Sequence, residues 1–222
     1  MLNHLNIIIF IITFPAVCLW LQIKLLFTGL GQNKKSLSTL NNKRLLKLVK
    51  DKSVYNLQTI YLLNSNKLFG MMSGVLKPHL ILSQKLYQEF NEDETEYVLL
   101  HEMGHFLLYH NLKEIIIGVI IILAGATFIV YNNLGTFTST LLAVVFGVIM
   151  IQIARQYEYQ ADSYALNRMT NPTGMISATN KFQNHYVTPR NKIIEILFYR
   201  GNPFANRIKM ANAELSKRKT IP

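Results

Sequence analysis

Midway along the chain, His101-Glu102-Met103-Gly104-His105 lies inside a helix-forming stretch that runs from Tyr97 to Leu108. Residues four apart lie on one face of an α-helix, so His101 and His105 can each turn an imidazole nitrogen toward one metal ion. Glu102 can reach a water bound to that metal. These are the parts of a zinc hydrolase, in which the metal activates water and Glu102 takes its proton. A second group follows in Arg155-Gln156-Tyr157-Glu158-Tyr159-Gln160-Ala161-Asp162, where Glu158 and Asp162 are again four apart. A zinc site with two histidines needs one more protein ligand and an open position for water, and Glu158 fits that need. Asp162 is placed to orient a ligand histidine by accepting its second N–H. Taken alone, Glu158 would by default be an interfacial acid paired with Arg155. Glu102 separates a catalytic from a structural zinc site, because a closed site has no use for an acid beside an open position.

Several elements must position these residues. Asn91-Glu92-Asp93-Glu94 has the form of a helix start, with Asn91 as N-cap, Glu94 completing a capping box and acids in the first turn. The helix is predicted to run to about His110. Ahead of it, Val54–Leu63, Lys67–Ser73 and His79–Ser83 have the character of strands, with Asn64-Ser65-Asn66 as a turn, and predict a small antiparallel sheet. His79 lacks a ligand-spaced partner and reads as structural or solvent-facing. Beyond the helix come two apolar blocks, Ile115–Tyr131 and Thr140–Ala154. Each is near the lower length limit for crossing a bilayer, and a buried hairpin in a soluble protein is the alternative. The turn between them carries no Lys or Arg while the flanks are basic, which favours a membrane hairpin with its turn outside. Helical segments are then predicted over Thr173–Tyr186, Lys192–Tyr199 and Phe204–Lys217.

With 222 residues the chain suits one integrated domain, half its residues are apolar, and its formal charge is +11. Ile7 to Ile23 forms a further apolar block, and Cys18 within it reads as a small buried hydrophobe. No positive charge precedes that block, whereas eight Lys/Arg from Lys24 to Lys52 follow it against Asp51 alone. The positive-inside rule makes it an uncleaved anchor with its N-terminus outside and residues 30–110 in the cytoplasm. Leucines at helical spacing among the lysines of Ser38–Lys52 suit a helix, either at anionic headgroups or with a solvated charged face. That segment offers no aromatic or groove-reading element, so the basic charge points to a lipid membrane and not to nucleic acid. The expected fold is α+β and mostly helical: a membrane-embedded zincin-like domain with a small antiparallel sheet and about three transmembrane helices. Residues 1–30 would form the anchor and 31–222 the catalytic domain, with its hairpin at about 114–154.

Together the two motifs resemble the membrane-embedded zinc peptidases of the gluzincin type. Gly74-Val75-Leu76-Lys77-Pro78-His79-Leu80-Ile81-Leu82-Ser83, followed by the acidic helix into the histidine motif, resembles the peptidase domain of the BlaR/MecR-type antibiotic sensors. Met103-Gly104 and Arg155…Glu158-Tyr159-Gln160-Ala161-Asp162 are closer to the HtpX and CAAX-prenyl-protease branch. That branch usually carries a His-Pro near the C-terminus followed by an arginine; here Asn202-Pro203 and Arg207 stand in that place, one residue closer together. The resemblance implies that His101, His105 and Glu158 bind one Zn2+, and that Glu102 is general base and then proton donor to the leaving amine. It implies a sheet edge at His79–Ser83, with Leu80, Ile81 and Leu82 pairing with an extended substrate. His185, Tyr186 and Arg207 are the candidates for donor to the tetrahedral oxyanion.

The function expected is that of an integral-membrane zinc endopeptidase in a bacterial cell membrane, with active site and C-terminus cytoplasmic. Its substrates would be proteins or peptides at the inner membrane face, either damaged membrane proteins or one specific peptide or regulator. The alternative is a non-catalytic zinc-binding membrane adaptor or immunity protein.

Overall fold

A computed structural model describes residues 37–52, 59–73, 79–186 and 191–220. The expected anchor over residues 1–30 and the Gly74–Pro78 stretch lie outside the described residues. Four strands and eight helices follow one another there: β1 (Leu37–Thr39), α1 (Lys43–Lys52), β2 (Ile60–Leu63), β3 (Gly70–Ser73), β4 (His79–Ser83), α2 (Gln84–Glu89), α3 (Glu92–Leu107), α4 (His110–Tyr131), α5 (Thr136–Leu166), α6 (Thr173–His185), α7 (Lys192–Phe198) and α8 (Phe204–Thr220).

The sheet is mixed and not purely antiparallel, in the order β1-β2-β4-β3. β1 and β2 are antiparallel, β2 and β4 parallel with Ile60 opposite Leu80, and β4 and β3 antiparallel with Gly70 opposite Leu82. β4 takes an inner place because it is the most apolar strand: Leu80, Ile81 and Leu82 are all buried, as expected of a strand covered on both faces. This corrects the expectation that His79–Ser83 is the sheet edge. Both sides of β4 are already paired, its three apolar residues belong to the core, and the edge falls to β3. Residues 37–39 lie partly in the segment expected to be helical, yet they form β1; the helix starts only at Lys43.

α3 carries the histidine motif through the centre of the fold. Its start is the capping box expected: Asn91 Oδ1 accepts from the Glu94 N–H at 2.9 Å, and Glu94 accepts from the Asn91 N–H at 2.7 Å. Such a cap contributes about 1 kcal/mol, whereas each of the buried Leu99, Leu100 and Met103 contributes about 1.5–3 kcal/mol. Burial therefore fixes this helix, and the cap sets its register. α1 places Leu45, Leu48 and Val49 in the same core. Its Arg44 reaches Glu92 at 2.6 Å and Asp93 at 2.8 Å, tying α1 to the first turn of α3.

α3 ends at Leu107, and Tyr109, whose φ of 55° lies in the left-handed region, breaks the helix before α4 begins at His110. α4 and α5 are both long and apolar enough to cross a membrane, and only 17% of each apolar stretch is buried inside the fold. That exposure fits contact with lipid and argues against a soluble core hairpin. At 31 residues α5 is about 46 Å long. It can cross a hydrocarbon core of about 30 Å and still project a turn or more beyond it.

Candidate metal centre

The projecting end of α5 crosses α3 where both helices are smallest. A Cβ on Gly104 would stand 3.2 Å from the Ala161 Cα, so α5 packs directly against the α3 backbone. Close to this contact lie His101 and His105 on α3, and Glu158 and Asp162 on α5. Their polar atoms meet in one place. His101 Nε2 and His105 Nε2 are 3.1 Å apart, and Glu158 oxygens lie 3.5 Å from the first and 3.3 Å from the second. Among the described residues, these three form the group that could hold a metal ion. A tetrahedral zinc with ligand bonds of about 2.1 Å separates neighbouring ligand atoms by about 3.4 Å. The donor set and its spacing thus fit zinc.

Asp162 is fully buried and accepts four hydrogen bonds. His101 Nδ1 at 2.8 Å and the Tyr97 hydroxyl at 2.7 Å share one oxygen, and Asn202 Nδ2 at 2.8 Å and Arg207 Nε at 2.9 Å share the other. That fills the acceptor capacity of a carboxylate and leaves His101 Nε2 free to face the metal position. Burial works against charge on His101, but the Asp162 carboxylate outweighs it and raises the imidazole to about pKa 10. A metal entering here therefore displaces a proton. Arg207 Nη2 also reaches Glu158 at 3.3 Å, so one guanidinium holds both carboxylates.

Glu102 sits between α3 and β3. A Cβ on Gly70 would stand 3.3 Å from its Cγ and 2.6 Å from Val98, so this strand can approach the helix only through glycine. Burial pushes the Glu102 carboxyl above the ordinary range, against the pull of His101 and His105; the Met72 backbone also hydrogen-bonds it. A raised carboxyl is a better proton acceptor near neutral pH.

The other candidates drawn from the sequence fall elsewhere. Arg155 does not pair with Glu158; it donates to the carbonyls of Glu195 and Tyr199, at 3.0 Å for Nε to Tyr199, and so straps α7 to α5. His185 pairs with Glu89 on α2 at 3.2 Å, and the Tyr186 hydroxyl donates to the Leu68 carbonyl. Neither joins the His101–His105–Glu158 group. Sequence reasoning missed Tyr97, His110 and Gln160 as parts of the site, and reached Asn202 only as the replacement for a histidine. His105 Nδ1 lies 3.0 Å from His110 Nδ1, and His110 Nε2 lies 3.0 Å from Gln160 Oε1. The one sequence signal for His110 is a third histidine in the motif's own neighbourhood.

Residues 41–215 match Peptidase family M48. The chain belongs to that family. No curated protein matches the chain. Among solved structures, the crystal structure of Ste24p from S. mikatae superimposes with a TM-score of 0.62 at 19% sequence identity, covering 90% of this chain and 56% of that one. The chain thus spans little more than half of that protein's length, and the likeness is one of fold. The M48 assignment thus comes together with a zinc-spaced donor set and two helices long and apolar enough to cross a membrane.

Proposed function

We propose that the chain is an endopeptidase that hydrolyses protein or peptide substrates at the cytoplasmic membrane face, with His101, His105 and Glu158 as zinc ligands and Glu102 as general base. The observation that carries this reading is the spacing of the three ligand atoms, with Glu102 beside them and β3 as the adjoining sheet edge. A zinc ion in this setting acidifies water and polarises a carbonyl. Glu102 takes the water's proton and returns it to the leaving amine. Asp162 fixes the ring of His101 so that Nε2 is the ligand atom. Arg207 holds Asp162 through Nε and Glu158 through Nη2; these bonds use two of its five N–H donors, and it stays a candidate donor to the oxyanion.

An extended substrate would add to the sheet along β3, whose outer side is unpaired among the described residues. Backbone pairing of this kind asks for an unfolded segment and little specific sequence, which suits damaged membrane proteins or a short peptide awaiting maturation. The closeness of the site to both apolar helices supports a place at the membrane surface. His105 precedes α4 by a few residues, and Glu158 follows the apolar part of α5. The turn between α4 and α5, free of Lys and Arg between basic flanks, supports the cytoplasmic side for that surface.

The test is cleavage of unstructured casein by detergent-purified full chain, stopped by a chelator and restored by zinc. Retention of one zinc with no cleavage of casein or of an extended peptide library would favour the adaptor reading instead.

A further inference from the structure

Each metal-facing histidine has a second ring nitrogen, and the two are served differently. His101 has Asp162. His105 Nδ1 meets His110 instead of a carboxylate, an arrangement in which two imidazoles must share one proton. His110 is 1% exposed, and its ring stacks on Tyr157 with centroids 4.6 Å apart and planes 9° from parallel. It is locked in place.

The tautomers then follow in order. His105 Nε2 faces the metal position and must offer its lone pair, so Nδ1 carries the hydrogen. That hydrogen points at His110 Nδ1, which must accept it, so His110 carries its own hydrogen on Nε2. Gln160 Oε1 receives it at 3.0 Å. We propose that His110, held by Gln160 and Tyr157, is a positioning residue that fixes the tautomer and rotation of His105 and thereby tightens metal binding. The proposal rests on the reading of His101, His105 and Glu158 as the zinc site.

The left-handed Tyr109 serves the same end. By breaking the helix there, the chain starts α4 with His110 turned back toward α3, and Gln160 on α5 closes the chain of bonds from a third helix. Outer partners of this kind are worth about 10–100-fold in metal affinity.

Two substitutions separate hydrogen bonding from packing. His110→Phe keeps the stacked ring and loses the acceptor. His110→Asn loses the ring but places Oδ1 near the lost Nδ1. Zinc affinity is read by competition with a chromophoric chelator on the full chain in detergent, alongside the cobalt(II) absorption spectrum. The expected result is a loss of about 10–100-fold for His110→Phe, with a shifted cobalt spectrum, and a smaller loss for His110→Asn. The reverse order, or wild-type affinity in His110→Phe, overturns the proposal and leaves a packing role. Gln160→Leu covers the case in which the Phe variant fails to fold: weaker zinc binding supports the proposal, and unchanged binding overturns it. Wild-type protein that takes up no zinc would bring down the metal-site reading itself, whereas unaltered binding in the variants would bring down this inference alone.

Discussion

Gly104 on α3 faces Ala161 on α5 with no room for a side chain between them, and this close approach lies beside both halves of the candidate metal centre. The Ala161 Cα would lie 3.2 Å from a Cβ at position 104, as would Cβ and Cδ1 of Tyr164. The candidate ligands come from helices far apart in sequence, and the glycine at 104 lets those helices approach closely at that level.

Gly104→Ala should therefore push α5 away from α3 at the level of Glu158. Overpacking of this kind costs about 1–3 kcal/mol. The expected outcome is a lower melting temperature together with weaker zinc binding, measured on the same preparation. Loss of stability with undiminished zinc affinity would show that the crossing does not set the ligand spacing.

Arg207→Ala removes the cation that faces two carboxylates, one of them fully buried. Breaking such a pair leaves an uncompensated charge and costs about 3–5 kcal/mol. A denaturant titration should register a loss of that order, because Arg207 and Asp162 are both well shielded from water. A change below about 1 kcal/mol would put the pair in the class of weak surface bridges.

Zinc uptake should release protons. His101 is raised to about pKa 10 by the Asp162 carboxylate against the effect of its burial, so below that pH the metal-free imidazole is protonated, and zinc must displace the proton. About one proton per zinc is expected near pH 7, and zinc affinity should rise with pH up to the region of that pKa. A pH-indicator dye in weak buffer measures the release directly; none at all would mean that His101 is already neutral.

Gly70→Ala places a methyl group against Val98 and Glu102. The helix is fixed by core packing and the edge strand is not, so β3 should be the element that moves. Cleavage should fall while zinc content stays at the wild-type value. Full activity in this variant would argue against substrate pairing along β3.

Much of this site could be read directly from the sequence because its groups are local. Two histidines four apart, a capping box over four residues and two acids four apart are consequences of helical periodicity, and α3 and α5 carry them as expected. The helices after Leu166 also fall close to their predicted bounds. The sheet was less legible. Three strand-like segments suggest hairpins, but β2 pairs with β4 in parallel and β3 lies outside them, because the most apolar strand takes the covered position. The partner of Arg155 depends on how α5 and α7 are placed in space, and the bond between His105 and His110 on how α3 and α4 are placed. No spacing within one element encodes either.

Everything else depends on one zinc held by His101, His105 and Glu158 and used by Glu102. Zinc content and casein cleavage of wild type, Glu102→Gln and Glu158→Ala test this side by side. About one zinc per chain is expected in wild type and in Glu102→Gln, with turnover in Glu102→Gln reduced by about 10²–10⁴. Glu158→Ala should lose both zinc and cleavage. Wild-type turnover in zinc-loaded Glu102→Gln, or wild-type zinc content in Glu158→Ala, would contradict the assignment.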